Sequence, residues 1–196
     1  MAMGRPREFN AEQALDRALA VFWQKGYEGA SLPDLTAAMG INRPSMYAAF
    51  GNKEELFRKA LERYTQKSRD SMKEALSAPT ARGAIEKLLF GIAESVGCPT
   101  SPKGCLLVQG ALACGEEAEP IRRELAARRA ASEAMLRERF ERGIADGDVP
   151  AAARASDLAS YFSTVIQGMA VQSNSGASRN DLHSIAEMAL KALPSN

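Results

Sequence analysis

The chain of 196 residues holds one histidine, one tryptophan and three cysteines, and aromatic side chains make up only 6% of it. A single histidine leaves little material for acid–base chemistry, and no HExxH zinc motif, nucleophile motif or phosphate-cradling glycine loop is present. Catalysis, a metal site and a cofactor are therefore not expected. The cysteines, Cys98, Cys105 and Cys114, are odd in number and irregularly spaced, which excludes a disulfide framework and suits a reducing compartment. Charge of one sign is missing as well. With 25 Lys+Arg against 24 Asp+Glu, the net charge of +1 provides no chain-wide field to hold nucleic acid or an anionic membrane, so any DNA contact must be local. No apolar run approaches the roughly 18 residues of a spanning helix. The opening MAMGRPREF lacks the apolar core of a signal peptide, and the expectation is a cytoplasmic protein without membrane contact.

What is present is helical periodicity from end to end, in a chain whose 45% apolar content suffices for a buried core. Leu15, Ala18, Leu19, Phe22 and Trp23 recur at three- and four-residue steps over 11–25, and Gly26 ends that stripe. Ser31 and Asp34 form a capping pair ahead of a helix of about nine residues closed by Gly40. Asn42 caps a third over 43–50, Gly51 stops it, and Asn52 with Glu55 starts a long fourth over 53–76. Further helices are expected over 81–96, 105–114, 116–145, 151–172 and 180–193. The run CLLVQGALAC at 105–114 is too continuously apolar for a surface helix and reads as a buried one. This predicts an all-α fold of about nine helices, with an amino-terminal domain over 1–52 and a larger carboxy-terminal domain over 53–196.

Two short helices joined by a tight turn over 31–50 have the dimensions of a helix-turn-helix, whose second helix enters the DNA major groove. Helical spacing turns Met46 and Phe50 inward and leaves Arg43, Pro44, Ser45, Tyr47 and Ala48 on the open side. Arg43 is the expected base reader, because a guanidinium binds guanine O6 and N7 together. Ser45, Tyr47 and Ser31 are candidates for phosphate or base-edge contacts. Lys53 is placed for phosphate, and Arg5 and Arg7, flanking Pro6, for an arm reaching backbone or minor groove.

The run LTAAMGINRPSMYAAFGNKEELFRKAL (35–61), preceded by ALAVFWQKGYEGASL, resembles the DNA-binding domain of the tetracycline-repressor (TetR) family of transcriptional regulators. The likeness covers about 8–64 and rests on Gly26-Tyr27, Ser31, then MG, SMY, F and NKEEL. It implies an all-helical homodimer whose amino-terminal lobes hold a palindromic operator in double-stranded DNA. Its carboxy-terminal lobe would bind a small-molecule effector, most simply an inducer that releases a repressor. Ala48-Ala49 depart from the aromatic or histidine residues of many relatives. The segment GCLLVQGALACGEE (104–117) is similar to one regulator subgroup that includes sensors of electrophiles and of metal stress; Cys105, at a helix start, is the candidate thiol if such sensing occurs, against the plainer reading of the cysteines as buried small hydrophobes. The alternative is a helical small-molecule carrier or protein-interaction module without DNA binding.

For the effector site the apolar residues Leu88, Phe90, Leu107, Phe140, Tyr161 and Phe162 are the sequence candidates. For a four-helix dimer interface they are the stripes Leu158, Phe162, Val165 and Met169, then Leu182, Ile185, Ala189 and Leu193. The competing expectation for those stripes is packing within one subunit. His183 is expected as an ordinary surface or packing residue.

Overall fold

The computed structural model describes residues 9–96, 104–112 and 118–194. Nine helices and no strand occur among them. They are α1 (Ala11–Gly29), α2 (Leu32–Met39), α3 (Arg43–Phe50), α4 (Lys53–Leu76), α5 (Ala81–Ser95), α6 (Leu106–Leu112), α7 (Glu119–Ala145), α8 (Ala155–Asn174) and α9 (Arg179–Leu190). Inside α1, Gly26 adopts φ 70 and ψ 178, a conformation that breaks the helical path where the apolar stripe ends. The chain then turns into α2 through Ala30.

Polar caps set the boundaries. Asn10, Ser31, Asn42, Asn52, Thr80 and Ser178 each accept a hydrogen bond from a backbone N–H three residues on, satisfying a donor that has no partner inside its helix. Three boundaries differ from the sequence expectation. Residues 151–153 form a turn, closed by the Ala153 N–H on the Pro150 carbonyl, and α8 starts only at Ala155. The last helix stops at Leu190, and its reciprocal Ser178–Asp181 capping box is a start signal that the apolar stripe does not carry. The helix expected from residue 116 begins at Glu119, with Pro120 in its first turn.

Two buried clusters hold the molecule. In the first, Phe22, Leu35, Met46, Phe57 and Leu61 pack together, with Phe22 and Phe57 edge-on at 5.0 Å. Full burial of each such side chain stabilises the fold by about 1.5–3 kcal/mol. The same cluster takes in Leu106 and Leu107 of α6 and Ile121 and Leu125 of α7, so the amino-terminal helices are packed directly onto the carboxy-terminal ones. The second cluster gathers Ile85, Leu89, Leu136, Phe140, Phe162 and Leu182, with the Phe140 and Phe162 rings stacked at 5.7 Å. Helix α4 belongs to both. Its first half, through Thr65, is buried in or beside the first cluster, and Ala75 and Leu76 are buried at its end, Leu76 in the second. Between them, over 66–74, only Met72 is half-buried and the other residues are exposed.

Candidate nucleic-acid interface and effector cavity

Helix α3 is presented by its neighbours. Ser31 and Asp34 open α2 with a reciprocal box: the Asp34 N–H donates to Ser31 Oγ at 3.2 Å, and the Ser31 hydroxyl donates to Asp34 Oδ2 at 2.7 Å. The Lys25 ammonium at 2.8 Å, followed by the Ser31 hydroxyl and backbone N–H, holds the Asp34 carboxyl down to about 2. Gly40 closes α2 at φ 70 and ψ 28, the left-handed conformation that a side chain would strain, and donates to the Thr36 and Ala37 carbonyls. Asn42 then caps α3 by accepting from the Ser45 N–H at 2.9 Å.

Within α3, Met46 and Phe50 are buried, whereas Arg43, Pro44, Tyr47, Ala48 and Ala49 are exposed and Ser45 is half-buried. Tyr47, 46% exposed, is one of the few large hydrophobic side chains offered to solvent. The outward face expected from helical spacing is therefore the face observed. Lys59 of α4 supports this helix from behind: its ammonium donates to the Ala49 and Phe50 carbonyls at 3.4 and 3.2 Å, at the end where the helix dipole is negative.

Lys53 differs from expectation. Its ammonium is not free: it donates to the Glu28 carbonyl at 3.3 Å and lies 4.7 Å from the centroid of the Tyr27 ring. Partial burial lowers its pKa. The first turn of α4 also carries Glu54 and Glu55, and Asn52 takes the Glu55 N–H, so this helix start invites an anion less than its position alone suggests. A phosphate would compete with Tyr27 and Glu28 for this ammonium.

Between the two clusters lies a cavity of about 880 Å³, bordered by α1, α4, α5, α6, α7 and α8. Its apolar wall includes Trp23, Leu88, Ile92, Leu107 and Met135. Cys105, half-buried, stands in the wall immediately before α6 and accepts a hydrogen bond from the Tyr64 hydroxyl at 3.2 Å. Burial first, then the neighbouring thiol, pushes the Tyr64 phenol well above its ordinary value, so it remains a donor. The Trp23 Nε1–H donates to the Gly104 carbonyl at 3.3 Å, and its ring meets Tyr64 edge-on at 4.7 Å.

The profile of bacterial regulatory proteins of the tetR family matches residues 14–60, and that of the tetracyclin repressor-like C-terminal domain matches 85–188. The HTH-type transcriptional repressor ComR of Escherichia coli K12 is 33% identical over 193 residues, covering 97% of this chain and 92% of that protein. The chain belongs to the TetR family. A second TetR-type relative, the repressor BdcR of Escherichia coli K12, is 30% identical over 97% of this chain and 92% of its own length. Among solved structures, the TetR family regulator CifR, a cysteine mutant complexed with 26-bp double-strand operator DNA, superposes with a TM-score of 0.93. It is 44% identical over 97% of this chain and 100% of that one. With an amino-terminal helix-turn-helix domain and a helical carboxy-terminal domain, this is a TetR-type DNA-binding transcriptional regulator.

Within this TetR fold several sequence candidates fall elsewhere. Of the six apolar residues expected around the effector, Leu88 and Leu107 line the cavity. Phe140 and Phe162 do not: each is fully buried against the other in the second cluster. Phe90 packs beside His183 at 5.1 Å, and Tyr161 is exposed to solvent. Of the two apolar stripes of α8 and α9, half belong to the core of one chain. Phe162, Met169, Leu182 and Ala189 are buried inside one chain, while Leu158, Val165 and Leu193 pack half-buried against its core; Ile185 is exposed. Ser31 is tied into its capping box, and His183 is half-buried and bonded to Glu94 at 2.9 Å. Arg5, Arg7, Cys98 and Cys114 lie outside the described residues. Sequence spacing missed Lys59 and Trp23, whose roles depend on partners 9 and 81 residues away. Among the described residues no helix is long and apolar enough to cross a membrane.

Proposed function

We infer that this regulator is a homodimeric repressor that holds a palindromic operator through α3 and lets go when a small molecule occupies the cavity between its clusters. The observation that carries this is the exposed face of α3, Arg43 to Ala49, on a chain 44% identical to a regulator solved in complex with operator DNA. The name repressor is borne by ComR and BdcR. Arg43 reads a base, Ser45 and Tyr47 contact base edges or phosphate, and Lys53 swings from Tyr27 to the DNA backbone. Arg5 and Arg7 are the further cations that the sequence offers for backbone or minor-groove contact. The second copy covers the apolar side chains that α8 and α9 leave exposed, Tyr161, Val171, Ile185 and Met188, of which Met188 is 64% exposed. Such a protein works where its DNA is, in the cytoplasm.

The effector class that the cavity wall favours is an electrophile. Tyr64 donates to Cys105 Sγ and so holds the nucleophilic sulfur in the cavity wall, where a bound electrophile meets it. Addition to an activated alkene forms an Sγ–C bond. The π pair moves to the adjacent carbon, which takes up the proton lost by the thiol.

Selection of bound sequences from random DNA with the purified chain, followed by gel shift, tests the reading. A discrete, competitor-resistant complex on a two-fold site, from a protein that sediments as a dimer, is expected. A monomer, or binding that random competitor DNA abolishes, overturns it. An unchanged response of the Cys105→Ser variant to an activated alkene overturns the electrophile assignment alone.

A further inference from the structure

The charges around the cavity are unbalanced. Among its described lining residues stand five cations, Lys67, Arg69, Lys87, Arg128 and Arg129, and one acid, Asp16. That acid is already neutralised, because Arg63 donates to it through Nε and Nη2, the latter at 2.8 Å, and these bonds lower its pKa. Arg128 is likewise satisfied: it bonds Glu62 and Glu124, each at 2.9 Å, and the Thr65 hydroxyl.

Arg129 is different. It is half-buried, and among the described residues its one hydrogen-bond partner is a neutral group, the Leu107 carbonyl, and it makes no ion pair. A guanidinium withdrawn partly from water without a counter-charge is a costly arrangement that an anion relieves, and its remaining N–H donors are set for a planar, two-oxygen acceptor. The lining also offers apolar surface, Leu88 and Ile92 of α5 and Met135 of α7. A molecule with one charged end and one apolar body satisfies both surfaces.

We propose that this cavity takes an amphipathic organic anion, its acidic head on Arg129 and its apolar body along Leu88, Ile92 and Met135, so that an electrophilic effector reaching Cys105 carries an acidic group as well. This rests on the cavity being the effector site. The head group would lie beside Arg128, whose bonds to Glu62 and Thr65 tie α7 to the connector α4.

Two fluorescent probes test the charge preference directly: anilinonaphthalene sulfonate and its uncharged parent phenylnaphthylamine, which differ by the sulfonate alone. Titrated into the full-length protein, the sulfonate should bind roughly tenfold more tightly or better, the scale of a charge-assisted hydrogen bond. Arg129→Gln should erase that advantage and leave phenylnaphthylamine unchanged, while Arg129→Lys should keep part of it. Arg123→Gln removes a charge from the exposed side of the same helix and should change neither probe. Equal affinities for the two probes, no binding of either, or an advantage that survives Arg129→Gln would overturn the proposal. A gel shift on the selected operator separates the two readings. Operator binding without a charge preference defeats the anion alone, and a charge preference without operator binding defeats the repressor reading alone.

Discussion

The Trp23 indole N–H donates to the Gly104 carbonyl at 3.3 Å, so α1 of the DNA-reading lobe is bonded directly to the turn that carries Cys105. This contact and the Trp23–Tyr64 ring pair place one side chain of the reading head in the cavity wall itself. On the reading proposed above, Trp23, which belongs to a helix of the reading head and to the cavity wall, is the side chain to test for coupling between effector and operator.

Trp23→Phe keeps the ring packing and removes the donor. Stability should fall by about 1 kcal/mol in denaturant melts, the scale of one hydrogen bond. Operator affinity without effector should change little, while the effector's ability to weaken it should drop by roughly 0.5–2 kcal/mol. Full release by effector in this variant would remove Trp23 from the route.

On DNA, Arg43→Ala and Lys53→Ala should fail differently. The first should relax preference at one base position by about 1–3 kcal/mol. The second should weaken every sequence alike and reduce the slope of log affinity against log salt by about 1. Because Tyr27 and Glu28 compete with phosphate for Lys53, Tyr27→Leu should free it without loss of the salt slope. Competition binding across a salt series decides each case.

Acid should loosen the reading head in a defined window. The folded Asp34 carboxyl sits at about 2 against an ordinary 3.8, so the folded protein binds fewer protons there than the unfolded chain. Its stabilising contribution is complete above about pH 4 and fades as pH falls toward about 2. Thermal melts of wild type and Asp34→Asn should converge over that interval, and a constant gap between them would show that ionisation of Asp34 contributes nothing.

At the far end of the molecule, Arg139 is 3% exposed and donates to the Ala78 carbonyl at 3.2 Å, with Asp148 Oδ2 at 3.5 Å. The same oxygen accepts the Ala81 N–H at 2.7 Å, at the start of α5. Asp148→Ala strands a buried cation and a backbone donor together, and should cost about 3 kcal/mol in chemical denaturation while leaving operator binding per folded molecule intact.

The helix-turn-helix was legible because its determinants are local: Gly40, Asn42, Gly51 and Asn52 each act within four residues of themselves. Burial of Met46 and Phe50 and exposure of Tyr47 follow from the helical period alone. The cavity was harder. An apolar stripe says that a side chain points inward, and inside this molecule inward leads either to packed core or to open space. Leu88 borders the cavity and Leu89, one residue on, is fully buried in the second cluster. Phe140 and Phe162 fell to the core because each is the other's partner across α7 and α8, a pairing that no single stripe encodes. The α8 and α9 stripes carry the same ambiguity, between the core of one chain and the face turned to a partner subunit. Lys59, Trp23 and Arg129 act through backbone carbonyls, which have no signature in the sequence of the acceptor.

The connector α4 is anchored at its two ends and bare over 66–74, apart from Met72. Isolated helices fray from their tips, because the terminal turns have the fewest neighbours. Here the order is inverted. The ends are clamped and the middle is wet, so amide protons near Lys67–Ser71 should exchange sooner than those near Phe57 or Leu76, and a strut with its soft point halfway along hinges there before it pulls out at either end.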